Sequence, residues 1–232
     1  MLRKNIHLVL MPGIDGTGIF FRPLLRALPP DIVPRVITYP DAGTLSLAEH
    51  AGFVRELLPS NDVVLVAESF SGLVALMLLH DPPGQVKGVV FSAAFAEPLR
   101  RRLIRVATFL PGIPSLVKRL PAALLNHYLF APRADEMLEG LLHDALPRLS
   151  PAALTHRAGL VALGYPFPEE RFAIPCLYLQ AARDRVVPQK AADWFAEHFV
   201  NFEFARFDAP HCLLQTRPRE CADRIVRYVD RI

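Results

Sequence analysis

The chain has 232 residues, 52% of them hydrophobic and 21% charged, enough for one large domain or two small ones around a substantial core, which excludes a disordered chain. The formal net charge of +3 is small for this length, and no interleaving of aromatic and basic residues accompanies it, so composition argues against a nucleic-acid binder. Cys176, Cys212 and Cys221 form an odd, sparse set with no CxxC, giving neither a disulfide framework nor a zinc pattern; they read as reduced thiols of a cytoplasmic protein.

The first residues, Met1 to Met11, briefly imitate a signal peptide. The apolar run is too short, and Pro12-Gly13 ends it without a small-residue cleavage site. No window reaches the roughly 18 uninterrupted apolar residues of a membrane span. Residues 6–11 are expected to form a buried strand. It runs into Pro12-Gly13-Ile14-Asp15-Gly16-Thr17-Gly18, a glycine-rich loop, and then a helix over 20–28 that stops at Pro29-Pro30. Glycines permit backbone conformations that turn amides toward a bound group. A phosphate loop is disfavoured, because the Lys-Ser/Thr pair and the dinucleotide spacing are both missing. An oxyanion hole suits the loop better, with a plain glycine-rich turn as the structural alternative.

A second strand is expected over 33–39, ended by Pro40. A helix over 46–58 begins with Ser46 as N-cap and Glu49 as the other half of a capping box. Residues 63–67, Val-Val-Leu-Val-Ala, read as a fully buried strand, followed by Glu68-Ser69-Phe70-Ser71-Gly72 and at once by a helical pattern. A strand that becomes a helix in so few residues bends sharply, and small residues two before and two after the serine, Ala67 and Ser71, are expected to let the arms pack closely. Such a nucleophile elbow exposes the Ser69 hydroxyl near the positive end of the new helix. A plain helix N-cap explains Ser69 equally well in isolation. Glu68, beside it, either tunes the site or faces solvent.

A further buried strand is expected over 86–93. Strands alternating with helices imply right-handed βαβ units and a parallel sheet, with sites at the carboxyl ends of the strands. The rhythm breaks over 97–172, where helical runs at 99–110, 115–130, 134–146 and 151–163 are punctuated by prolines. This segment is expected to be an inserted helical cap lining an apolar pocket, with a purely packing bundle as the alternative. Arg100, Arg101, Arg102, Arg105, Lys118 and Arg119 give it a basic face, either solvated surface or a contact for an acidic carrier protein or anionic head group. The sheet resumes with a strand over 175–181, a loop at 182–188, a helix over 189–199, a last strand over 202–207, the turn Asp208-Ala209-Pro210-His211 and a helix over 218–231.

Three polar residues therefore fall at strand exits in the order Ser69, Asp184, His211. A serine hydroxyl needs a base to take its proton, and the base needs an acid to fix its tautomer. Of eight histidines, only His211 follows a strand in a loop. Asp208 lies too near His211 along the chain for the usual arrangement and reads as a loop-capping residue.

The Pro12–Gly18 loop, the Ala67–Gly72 elbow, the Asp184-x-x-Val187-Pro188 exit and the Pro210-His211 turn together resemble the α/β-hydrolase fold family, whose triads run Ser, acid, His in chain order. The resemblance covers nearly the whole chain. It implies an α/β core of about six strands, all parallel, lacking the family's first two, built from residues 1–96 and 173–232, with 97–172 as the cap. It also implies Ser69, Asp184 and His211 as catalytic residues and the amides of Ile14 and Phe70 as the oxyanion hole. The loop departs from the family's common His-Gly in having Pro12-Gly13, a form seen in some of its esterases and acyltransferases. The expected activity is cleavage of a small-molecule carboxylic ester with an apolar or acyl-chain substrate, through an acyl-enzyme at Ser69 and without metal or cofactor. A thioesterase or acyltransferase with the same triad is the near alternative, and a ligand-binding receptor with little turnover is the alternative of another class.

Overall fold

The structure is a computed structural model that describes residues 7–41, 43–99, 122–131 and 135–232. All but the first residue of the expected helix over 99–110, residues 115–121 of that expected over 115–130, and the basic residues of the expected cap face lie outside the described residues.

Six parallel strands form one sheet in the order β2-β1-β3-β4-β5-β6: β1 (His7–Met11), β2 (Val33–Val36), β3 (Val63–Glu68), β4 (Val86–Ser92), β5 (Cys176–Ala181) and β6 (Phe202–Phe207). The central strands are apolar on both faces because both are covered. In β1, Leu8 and Leu10 face one core layer while Val9 and Met11 face the other. In β3, Val64 and Val66 face the first layer, and Val63, Leu65 and Ala67 the second. The layers are closed by helices on opposite sides. One takes α1 (Arg22–Ala27) and the C-terminal α9 (Pro218–Val229), which buries Cys221, Ile225 and Val229. The other takes α2 (Leu47–Glu56), α3 (Ser71–Leu79) and α7 (Ala191–His198). Helix α3 is apolar all round because it lies between the sheet and α2. Ser46 caps α2 through the expected capping box, its hydroxyl accepting the Glu49 amide and its own amide donating to Glu49 at 2.7 Å.

The edge strand β2 is shorter than the expected 33–39. Ile37 still donates to the Leu10 carbonyl, but the chain then leaves the sheet and the Tyr39 amide goes to the Gly16 carbonyl at 2.9 Å. Pro34 is tolerated because it sits on this edge.

Between β4 and β5 the described residues carry α4 (Ala122–Leu129), α5 (Glu136–Ala145) and α6 (Pro151–Leu163), and no strand. Helix α5 buries Leu138, Leu141 and Leu142 in a third cluster with Ile19 and Cys212, so it rests on the loops after β1 and β6. A four-residue helix that the pattern did not reveal, α8 (Leu213–Thr216), follows His211 directly.

The chain steps from β1 to β2 on one side and to β3 on the other. The crevice above the carboxyl ends of β1 and β3 is therefore the topological switch point, where open α/β sheets place their sites. The Pro12–Gly18 loop leaves β1 there, and Ser69 leaves β3.

Candidate active site

Ser69 has φ of 50°, in the left-handed region that a side chain enters at a cost of about 1–3 kcal/mol. The strain is held from both sides: the Ser69 amide donates to the Ser92 carbonyl at 2.9 Å, and its carbonyl accepts the Gly72 amide at 2.9 Å. Ser69 is not the N-cap of α3, because Phe70 occupies that place and no side chain caps it.

The close approach at the elbow falls on Gly72 and not on Ser71. A Cβ at Gly72 would lie 2.7 Å from the Ala94 methyl. Ser71 has a polar task instead. It is fully buried, its hydroxyl donates to the Pro12 carbonyl, and its oxygen lies 2.6 Å from the Tyr39 hydroxyl. With the Ser71 proton used on Pro12, the Tyr39 hydroxyl is the donor between them.

The structure brings Ser69, Asp184 and His211 together. His211 Nε2 is 3.1 Å from Ser69 Oγ, and Nδ1 is 2.9 Å from Asp184 Oδ2. The other Asp184 oxygen accepts the amides of Val186 at 2.7 Å and Val187 at 2.9 Å, so the carboxylate is oriented by its own loop. The loop of His211 is tied to helix α4 by the Cys212 amide, which donates to the Leu129 carbonyl at 3.1 Å. Asp208 pairs with Arg183 at 2.5 Å on the surface, a link between the two loops.

The Pro12–Gly18 loop closes on itself. The Gly16 amide donates to the Gly13 carbonyl at 3.1 Å, and the Asp15 carboxylate accepts both the amide and the hydroxyl of Thr17. Ile14 and Phe70 line the same cavity as Ser69 and His211. Among the described residues neither the Ile14 nor the Phe70 amide donates a hydrogen bond. The cavity is about 230 Å³ and is mainly apolar, walled by Phe95, Leu99, Leu129, Val161 and Val186.

The charges around His211 oppose one another. Burial pulls the imidazolium down, but the Asp184 charge, its hydrogen bond and the Glu68 charge together leave the His211 pKa above its ordinary value. Glu68 does not face solvent. It is 5% exposed and accepts the Gln215 side-chain amide at 2.9 Å, and burial pushes its carboxyl up to about 7. Burial likewise raises Asp15. Sequence reasoning missed Tyr39, Gln215 and Arg157, all of which touch the site's loops through bonds to distant segments. No local pattern marks them. Among the described residues no group of His, Cys, Asp or Glu has the arrangement of a metal site, and no helix is long and apolar enough to cross a membrane. The three cysteines are buried and free.

A hydroxyl within reach of an imidazole, itself held by a carboxylate, is an arrangement that can pass a proton away from the oxygen. Comparison with known proteins agrees with the fold that carries it. An esterase from Exiguobacterium antarcticum is similar over 97% of this chain and 92% of its own, with a TM-score of 0.80 at 16% identity. A hydrolase from Pseudomonas aeruginosa PA01 covers 97% of this chain and 90% of its own, with a TM-score of 0.79 at 18% identity. An enol-lactonase from Burkholderia xenovorans LB400 covers 96% and 90%, with a TM-score of 0.79 at 14% identity. No curated protein matches in sequence. The model of the alpha/beta hydrolase family matches residues 8–224, and the chain belongs to that family.

Proposed function

We propose that the protein is a serine hydrolase that cleaves carboxylic esters with an apolar acyl portion. The observation that carries this reading is the relay from Ser69 Oγ through the His211 ring to Asp184, with contacts of 3.1 and 2.9 Å. His211 Nε2 takes the Ser69 proton as Oγ attacks the ester carbonyl. Asp184 holds the tautomer with Nδ1 protonated and stabilises the imidazolium. The amides of Ile14 and Phe70 donate to the oxygen of the tetrahedral intermediate, each worth about 3 kcal/mol in such sites. The imidazolium then gives its proton to the leaving alkoxide as the ester C–O bond breaks. Water, deprotonated by the same nitrogen, attacks the acyl-serine, and the proton returns to Ser69 as the acid departs.

The apolar cavity supports an acyl chain or a similarly apolar group as the substrate portion that is bound, because its walls offer few polar partners beyond the reacting residues. In this reading residues 97–172 form a cap over a core of 1–96 and 173–232, and Leu99, Tyr128, Leu129 and Val161 are its contribution to the wall. The buried free thiols fit a reducing compartment, the cytoplasm. The test is turnover of chromogenic esters of increasing acyl length by the wild type and Ser69→Ala. The proposal expects measurable hydrolysis by the wild type and loss of at least about 10³-fold in the variant. Equal turnover by the two proteins rejects it.

A further inference from the structure

Arg157, on helix α6, is 2% exposed and carries a charge that burial disfavours. Among the described residues no carboxylate bonds to it. Its hydrogen bonds go to carbonyl oxygens: Nη1 donates to Ile14 at 3.2 Å and to Asp15 at 3.1 Å, and Nη2 donates to Pro40 at 2.9 Å. The guanidinium lies over the Tyr39 ring, 5.5 Å from its centre. A Cβ on Gly16, which has φ of 72°, would fall 2.2 Å from Nη1, so the turn and the guanidinium are in direct contact.

These bonds fix the direction of an amide that they do not touch. The Gly16 amide holds the Gly13 carbonyl on the inner side of the turn. The peptide between Gly13 and Ile14 is planar and trans, so the Ile14 N–H points the opposite way, out of the turn. Arg157 holds the next two carbonyls, those of Ile14 and Asp15, and so prevents the central peptides of the turn from rotating. Helix α6 also supplies Val161 to the cavity wall. We infer that Arg157 is a positioning residue: its guanidinium locks the Gly13–Gly16 turn from helix α6 and thereby aims the Ile14 amide at the reacting carbonyl oxygen. The inference rests on the ester-hydrolase reading. It adds that the wall over the substrate and the oxyanion loop are one mechanical unit.

The experiment compares the wild type with Arg157→Gln in three readouts: kcat and KM for an aryl ester, affinity for a trifluoromethyl ketone that adds to a serine, and affinity for the matching secondary alcohol, which forms no oxyanion. In the variant kcat is expected to fall about 10- to 100-fold, with KM within about twofold. Ketone affinity is expected to weaken in step with kcat/KM while alcohol affinity stays within about twofold. Arg157→Lys keeps the charge and reaches one carbonyl at a time; it is expected to fall between the two, and it carries the same readouts should the glutamine variant not fold. A folded variant with unchanged kcat overturns the inference, as does equal weakening of ketone and alcohol, which marks a merely structural role. A wild type that neither turns over esters nor binds the ketone removes the hydrolase reading and this inference with it. An active wild type and an equally active variant remove the inference alone.

Discussion

The side-chain amide of Gln215 donates to Glu68, the residue immediately before Ser69, at 2.9 Å. The same nitrogen donates to the Phe20 carbonyl at 3.1 Å, so one amide from helix α8 ties together the elbow and the segment after the glycine-rich loop. Glu68 is thereby a buried acid whose charge acts on His211 from behind.

The substitution Glu68→Gln keeps an acceptor for Gln215 and removes the charge. Burial raises the Glu68 carboxyl from 4.5 to about 7. The folded protein therefore retains this proton over a range where the unfolded chain has lost it. The contribution to stability is fully present below about pH 4.5 and is lost as pH rises through about 7. Glu68→Gln is thus expected to be more stable than the wild type at pH 8, by about 3 kcal/mol, with the difference vanishing near pH 4. Urea denaturation at the two pH values measures this. The loss of negative charge also lowers the His211 pKa, so the activity profile of the variant should move to lower pH.

In the proposed mechanism the base form of His211 is the active one, and its pKa lies above the ordinary value near 6.5. Wild-type kcat/KM for an uncharged ester should therefore rise with pH, with its midpoint above about 6.5. Asp184→Asn removes both the charge and the correct acceptor for Nδ1. Its kcat is expected to drop on the order of 10³- to 10⁴-fold, with the midpoint displaced downward. A wild-type profile that is flat between acid and neutral pH contradicts the role given to His211.

Ser71→Ala tests the junction under the glycine-rich loop. The substitution leaves the Pro12 carbonyl without its donor and the Tyr39 hydroxyl without its acceptor, both in buried surroundings. Thermal or chemical denaturation should show a loss of about 1–3 kcal/mol. Ser71→Gly should cost at least as much, because the position works through its hydroxyl and not through its small size.

The strands were legible because a sheet buried on both faces writes itself as short continuous apolar runs, as in Leu8–Met11 and Val63–Ala67. Ser69 and Asp184 were legible because each follows such a run within a few residues, and His211 because it follows the alternating edge strand Phe202–Phe207 in a loop. Arg157 and Gln215 were not. Their partners lie 143 and 147 positions away, and nothing local distinguishes an arginine that grips a loop from one on a helix surface. Ser71 was legible as a small residue, but its hydrogen bond to Pro12 spans 59 positions and only the fold reveals it. Helix α8 escaped notice because four residues are too few to show a period.

The most direct measurement is the site of covalent labelling by a fluorophosphonate, read by mass spectrometry of the digested protein. The account predicts one adduct, on Ser69, formed rapidly by the wild type and much more slowly when His211 is replaced by Ala. An adduct on another serine, or none under conditions where the protein hydrolyses esters, contradicts it.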